Sequence, residues 1–328
     1  MTKLTKYFII FFLALGLTPA RAQSAHYTIS PLNADAVLSA DGLRSSVEEL
    51  CSEDMGGRRT GTEGGIKAAA WLDAEFRSIG LEPLSGAWMH GFVTSDGLAR
   101  NIMGIVPGSQ SRYVIVMAHY DNLGYLGGTF YPGADSNASG VAALLQLARM
   151  AKKMKECRKE YSSGIIFVAL DAKEKNRLGA AHLWEQLNGG RLLDPATGSA
   201  ITPSQISLAV NLDQLGTGDA PITKGNTRYL MMLSGADGRR DILNSVNRSA
   251  GFGFELAYDY YGSKDFTNLF YRRVSDQSVF LEHGISSVMF TSGITLLNNK
   301  PGDTPETLDY ELLASRTRLI FWFLDRIL

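Results

Sequence analysis

The chain has 328 residues, 45% of them hydrophobic and 20% charged, with a formal net charge of -1. This is ordinary globular composition, with ample chain for a large core. Near-neutral balance, and no basic run longer than Arg58-Arg59 or Lys152-Lys153, leave no electrostatic footprint for nucleic acid.

The N-terminus reads differently from the rest. Lys3 and Lys6 precede an apolar stretch from Tyr7 to Leu17, and Ala20-Arg21-Ala22 supplies small residues for cleavage. A charged start, an apolar stretch too short to span a bilayer and an Ala-x-Ala site predict a secretory signal peptide over 1–22. The mature protein is then expected to begin near Gln23, as one domain over 23–328, exported to the periplasm or the extracellular space. Gln23 and not Cys stands directly after the cleavage site, so no lipid anchor is expected. The cysteines, Cys51 and Cys157, allow one disulfide in an exported protein and are equally compatible with two separate thiols.

In chain order, residues 23–34 read as an irregular lead-in, and Asp35 to Asp54 as one or two helical segments. A Gly-rich loop over 56–65 opens a helix from Ile66 to Ile79, with Ala68, Ala69, Leu72 and Phe76 on one stripe and Gly80 as its C-cap. Trp88 to Val93 and Asn101 to Val106 read as early strands, and Val114 to Met117 as a buried strand of β-branched and large residues. Helices follow at Val141 to Met154 and from about Leu178 to Leu187, with strands at Ile165 to Leu170, Leu208 to Leu212, Tyr229 to Leu233 and Ser287 to Phe290. An amphipathic helix from Leu312 to Leu328 closes the chain. Strands alternating with helices imply a single α/β domain with a mostly parallel mixed sheet, flanked by helices.

The chemistry gathers where apolar runs end. The run at 114–117 is followed by Ala118-His119-Tyr120-Asp121, the next by Asp171 and Glu174, and the third by Asp213, while Asp135 opens a helix after a Gly-rich loop. His119 and Asp121 are two apart on an extended segment and share a side. A single acidic ending is commonly a solvated loop or a helix cap. Three in series with a histidine form instead the donor set for zinc or a similar divalent ion.

These motifs resemble the zinc aminopeptidases of clan MH, the group that contains aminopeptidase Y, glutamate carboxypeptidase and the glutaminyl cyclases. The resemblance spans most of the mature chain. It is carried by Gly57-Arg58-Arg59-Thr60-Gly61-Thr62, Ala118-His119-Tyr120-Asp121, Gly133-Ala134-Asp135-Ser136-Asn137-Ala138-Ser139-Gly140, Asn211-Leu212-Asp213-Gln214-Leu215-Gly216 and Gly302-Asp303-Thr304-Pro305. It implies the zinc-exopeptidase, phosphorylase/hydrolase-like fold and a peptide or small amide substrate. It also implies one zinc on His119, Asp135 and Asp213, with Asp135 bridging to a second zinc held by Glu174 and a C-terminal histidine. Asp121 would orient His119, and a glutamate would take the proton of the attacking water.

The chain departs from that pattern at two places. Lys173 stands at the general-base position, and Asn299 falls where the last histidine ligand is expected; no histidine follows His283. An ammonium cannot accept a proton from water unless its pKa is greatly lowered, and Asn offers only a neutral oxygen. One zinc with an impaired second position is therefore expected, on an exported aminopeptidase-like hydrolase with a weakened site. The rival readings are an inactive pseudo-peptidase that binds a peptide or partner, and a glutaminyl-cyclase-like acyltransferase. Lys173 is further expected either to turn inward and replace the missing positive charge or to point to solvent.

Overall fold

Val114, Val116 and Ala118 face one side of their strand, Ile115 and Met117 the other, and all are buried. Such a strand can only lie in the middle of a sheet covered on both faces. The computed structural model describes residues 30–234 and 239–328, so the expected signal peptide lies outside the described residues.

Helix α1 (Leu32–Asp35) begins at the end of the stretch expected to be irregular, and α2 (Ala40–Leu50) is capped by Ser39, whose hydroxyl accepts from the Gly42 N–H at 3.0 Å. Helix α3 (Glu63–Ile79) is capped by Thr62 and stopped by Gly80 in the left-handed region at φ 77°. Strands β1 (Glu82–Pro83), β2 (Met89–Thr94), β3 (Gly97–Val106) and β4 (Gln110–His119) follow, then a small hairpin of β5 (Gly124–Leu126) and β6 (Thr129–Tyr131). Next come α4 (Ser139–Glu156), β7 (Ser163–Leu170), α5 (Leu178–Asn188), β8 (Ile206–Leu212) and β9 (Tyr229–Ser234). The chain ends with α6 (Arg239–Ser249), β10 (Glu255–Ala257), α7 (Lys264–Leu269), α8 (Gln277–Glu282), β11 (Ser287–Thr291) and α9 (Tyr310–Ile327).

One sheet runs in the order β1-β3-β7-β4-β8-β11-β9-β10, with β2 on β3. Its centre, β7-β4-β8-β11, is parallel. Around that centre β1, β2 and β7 pair antiparallel with β3, and β9 pairs antiparallel with β11. The sheet is mixed as expected: its parallel centre is flanked by antiparallel pairs, with one further parallel pair, β9-β10, at an edge, and β2 reaches β3 through a tight turn at Ser95-Asp96, which only antiparallel strands allow. Helices α2, α3, α4 and α9 pack on the face of Val114, Val116, Phe167 and Val210, while α5 and α8 pack on the face of Ile115, Met117, Val168 and Ala209. Cys51 is buried, Cys157 half-buried, and both are unpaired. Among the described residues no helix is long and apolar enough to cross a membrane.

Candidate functional site

Strand β4 lies between β7 and β8. The chain leaves β4 through α4 to reach β7 on one side, then returns through α5 to reach β8 on the other, and α4 and α5 cover opposite faces. Winding therefore reverses at β4, and the reversal opens a crevice beyond the carboxyl ends of β4 and β8. His119 is the last residue of β4 and Asp213 the first after β8, so both side chains arrive at that crevice.

His119 is fully buried. Its Nδ1 lies 3.1 Å from the Asp121 carbonyl and 3.6 Å from the Asp121 carboxylate, and its Nε2 lies 3.8 Å from Asp213 Oδ1 without a hydrogen-bond partner. Burial and the nearby Lys173 charge pull the imidazole's pKa down, but Asp121 and Asp213 outweigh them and leave it raised to about 10. For Asp213, burial pushes the carboxyl up, and Lys173 and His119 overcome it, holding it at about 2.

Asp121 does a second job across the sheet. Its two carboxylate oxygens accept from the backbone N–H groups of Lys173 and Glu174, each at 3.0 Å. That pair of bonds pins the turn after β7, which Ala172 enters in the left-handed region at φ 59°. Lys173 is thereby aimed into the crevice: its side chain is 20% exposed and its ammonium donates to Glu174 Oε1 at 2.9 Å. Burial pulls this ammonium's pKa down, and Asp213 and Glu174 more than reverse that, holding it above the ordinary lysine value. Lys173 and Asp213, with Ser136, form the polar floor of a cavity of about 190 Å³ whose walls are Tyr260, Phe270, Val274, Met289 and Ile294, with Asn299 at its edge.

Asp135 sits at the entry to α4. Its Oδ1 accepts from the Gly216 N–H at 2.7 Å and the Ser139 hydroxyl at 3.0 Å, while its Oδ2 is buried without a partner. Burial and the neighbouring Asp303 push its carboxyl up to about 7.

Three groups that shape the site carried no site role in the sequence reading. Asp276 is fully buried, and neither of its oxygens has a hydrogen-bond partner. It faces His119, Lys173, Asp213 and Asp121, and burial pushes its carboxyl up to about 7. Asp303 accepts from the N–H groups of Asp135 and Ser136 at 2.7 and 3.1 Å, so it fixes the loop that presents Asp135. Arg58 is fully buried and donates to the carbonyls of Tyr120 at 2.8 Å, Pro132 at 2.7 Å and Gly133 at 2.9 Å. Asp303 and Arg58 lie inside the quoted motifs, which was their signal; Asp276 ends no apolar run and gave none. Asp171, grouped with the acidic strand ends, is a clamp instead, accepting from Thr60 at 2.8 Å, the Arg100 N–H at 2.9 Å and Tyr120 at 3.0 Å. Two other described histidines pack on aromatic rings: His283 stacks on Trp184 and His182 on Phe92.

Residues 101–324 match the family model of peptidase family M28. The chain belongs to this family. A probable zinc metalloprotease of Pyrenophora tritici-repentis is 26% identical over 340 residues, which cover 86% of this chain and 73% of that protein. Among solved structures, a zinc aminopeptidase from Bacillus subtilis superposes with a TM-score of 0.67 at 16% identity, covering 88% of this chain and 95% of that one. Porphyromonas gingivalis glutaminyl cyclase superposes at 0.65 with 20% identity, covering 89% and 99%. These likenesses bear out the zinc-exopeptidase fold of an M28 peptidase.

Family M28 membership and the zinc aminopeptidase neighbour imply zinc, so the donors of this chain bear on whether it fits. His119 Nε2 and Asp213 Oδ1 are 3.8 Å apart and make one donor pair, half of a tetrahedral set. Among the described residues no group of three or more His, Cys, Asp or Glu side chains is placed to hold a metal ion. Asp213 is faced by the Lys173 ammonium, which also bonds Glu174, and by His119. As folded, these residues do not fit a zinc pair or a complete single site.

Proposed function

We propose that this chain is an exported member of the peptidase family whose crevice takes the amino-terminal end of a peptide or a small amide, with hydrolysis weakened or lost. The observation that carries the reading is Lys173, turned inward and bonded to Glu174 at the floor of the cavity. At the general-base position an ammonium held above its ordinary pKa cannot take the proton of an attacking water. Asp213 stands on that floor beside Lys173, and its carboxylate is the group that would meet an amine of the ligand. The walls of Tyr260, Phe270, Val274 and Ile294 favour an apolar first side chain. Export is supported by the charged start, apolar stretch and Ala-x-Ala site of residues 1–22.

The test is a panel of aminoacyl anilides, glutaminyl peptides and hydrophobic dipeptides, followed both for turnover and for heat of binding. Saturable binding with little or no turnover is expected. A kcat at the level of ordinary enzymes, roughly 1 s⁻¹ or more, would refute the weakened site, and neither binding nor turnover would refute the peptide reading.

A further inference from the structure

We propose that the Lys173 ammonium is the resident cation of this crevice, so that the folded chain neither needs nor retains a divalent metal there. The observations are geometric. Four carboxylates, Asp121, Asp213, Glu174 and Asp276, converge with His119 and Lys173 beyond the ends of β4, β7 and β8. Carboxylates crowded in a partly desolvated cleft repel one another and require a cation or protons. Asp276 shows the demand most clearly: it is buried with both oxygens unbonded, and the cationic groups that face it are His119 and Lys173.

Lys173 is held for this part by its backbone. Ala172 in the left-handed region redirects the chain, and the two oxygens of Asp121 anchor the N–H groups of Lys173 and Glu174. A lysine merely left at the surface would be exposed and unbonded; this one is 20% exposed and bonded at 2.9 Å. A dication bound by Asp213 or Glu174 would meet that ammonium at close range, and the like-charge repulsion opposes it. The remaining His119–Asp213 pair at 3.8 Å offers too few donors to overcome that repulsion. The lysine thus does what a metal would do for the carboxylates, and leaves the water-activating chemistry behind.

The inference rests on reading this crevice as the family's cleft, but not on its binding a peptide. The experiment uses the mature protein purified without added metal, analysed for zinc and melted in EDTA, in buffer and in zinc chloride. The wild type is expected to hold no stoichiometric zinc and to melt at the same temperature in all three. Lys173→Met, of similar length but neutral, is expected to melt roughly 5 °C lower in EDTA and to regain much of that in zinc, while Lys173→Arg stays indifferent to zinc. One zinc per wild-type chain surviving dialysis, with a fall in Tm on adding EDTA, overturns the proposal. So does a Lys173→Met protein that melts like the wild type and ignores zinc. If Lys173→Met fails to fold, the zinc content and EDTA response of the wild type decide the matter alone. A zinc-indifferent wild type that binds no peptide would sink the proposed function and leave this inference standing.

Discussion

Replacing Asp276 by Asn removes a buried charge without changing the shape of the side chain, and the gain can be worked from the site. The Asp276 carboxyl is pushed up to about 7 by burial, with His119 and Lys173 partly offsetting it and Asp213 and Asp121 adding to it. Because the folded value lies above the unfolded one, the native state holds this proton to higher pH than the unfolded chain does. The penalty is therefore absent below about pH 4, grows between about 4 and 7, and is complete above that. A rise of about three units at 1.36 kcal/mol each sets an upper limit of roughly 4 kcal/mol at pH 8. Asp276→Asn is expected to be more stable than the wild type by about 1–4 kcal/mol at pH 8, with the difference shrinking towards zero near pH 4.5. Urea unfolding of both proteins at pH 4.5, 6 and 8, with matched m-values, measures this directly. A stability difference that does not change with pH would refute the reasoning, since it would mean that Asp276 carries no proton-linked cost.

Asp121→Asn should act in the opposite direction, because the new amide group must face one of the two backbone N–H donors at Lys173 and Glu174; a loss of about 2–3 kcal/mol at pH 7 is expected in urea unfolding. The same change removes a partner of His119, whose raised pKa contributes stability below its ordinary value of 6.5 that is lost as pH rises towards about 10. Wild-type stability is therefore expected to fall between pH 7 and 10, and the variant's to fall less, as read from paired urea curves. Arg58→Met strands the buried carbonyls of Tyr120, Pro132 and Gly133 and should cost about 3–5 kcal/mol. Arg59→Met, which loses only a 3.4 Å pair with Asp96 on a partly exposed surface, should change thermal stability by less than about 1 kcal/mol.

The elements that were expected were legible because local physics and tertiary packing agree over them, whereas the short β1, β5, β6 and β10 and helices α6, α7 and α8 were not expected. Leu178 to Leu187 was expected as a helix and forms one over Leu178–Asn188; Gly80 was expected as a C-cap and takes φ 77°. The run at 114–117 was long enough and apolar enough to announce a central strand, and His119 and Asp121 follow it by simple counting. The antiparallel flanks were not legible, since a strand's sequence reports its burial and not the direction of its neighbour. Asp276 was missed for a related reason: it lies between α7 and α8, in a segment without a periodic apolar run, and becomes part of the site only by packing.

The sequence by itself determined the apolar runs and the polar residues at their ends. Each follows from composition and order along the chain, which folding does not alter. Whether Lys173 faces solvent or the crevice was a tertiary decision. It depends on Asp121, at the end of β4, reaching the backbone N–H groups of Lys173 and Glu174 beyond β7 at 3.0 Å, and on Ala172 accepting a left-handed turn. Those contacts join residues about fifty positions apart, and a charge takes its role from the charges that folding brings around it, here Asp213, Glu174 and Asp276, rather than from its neighbours in sequence.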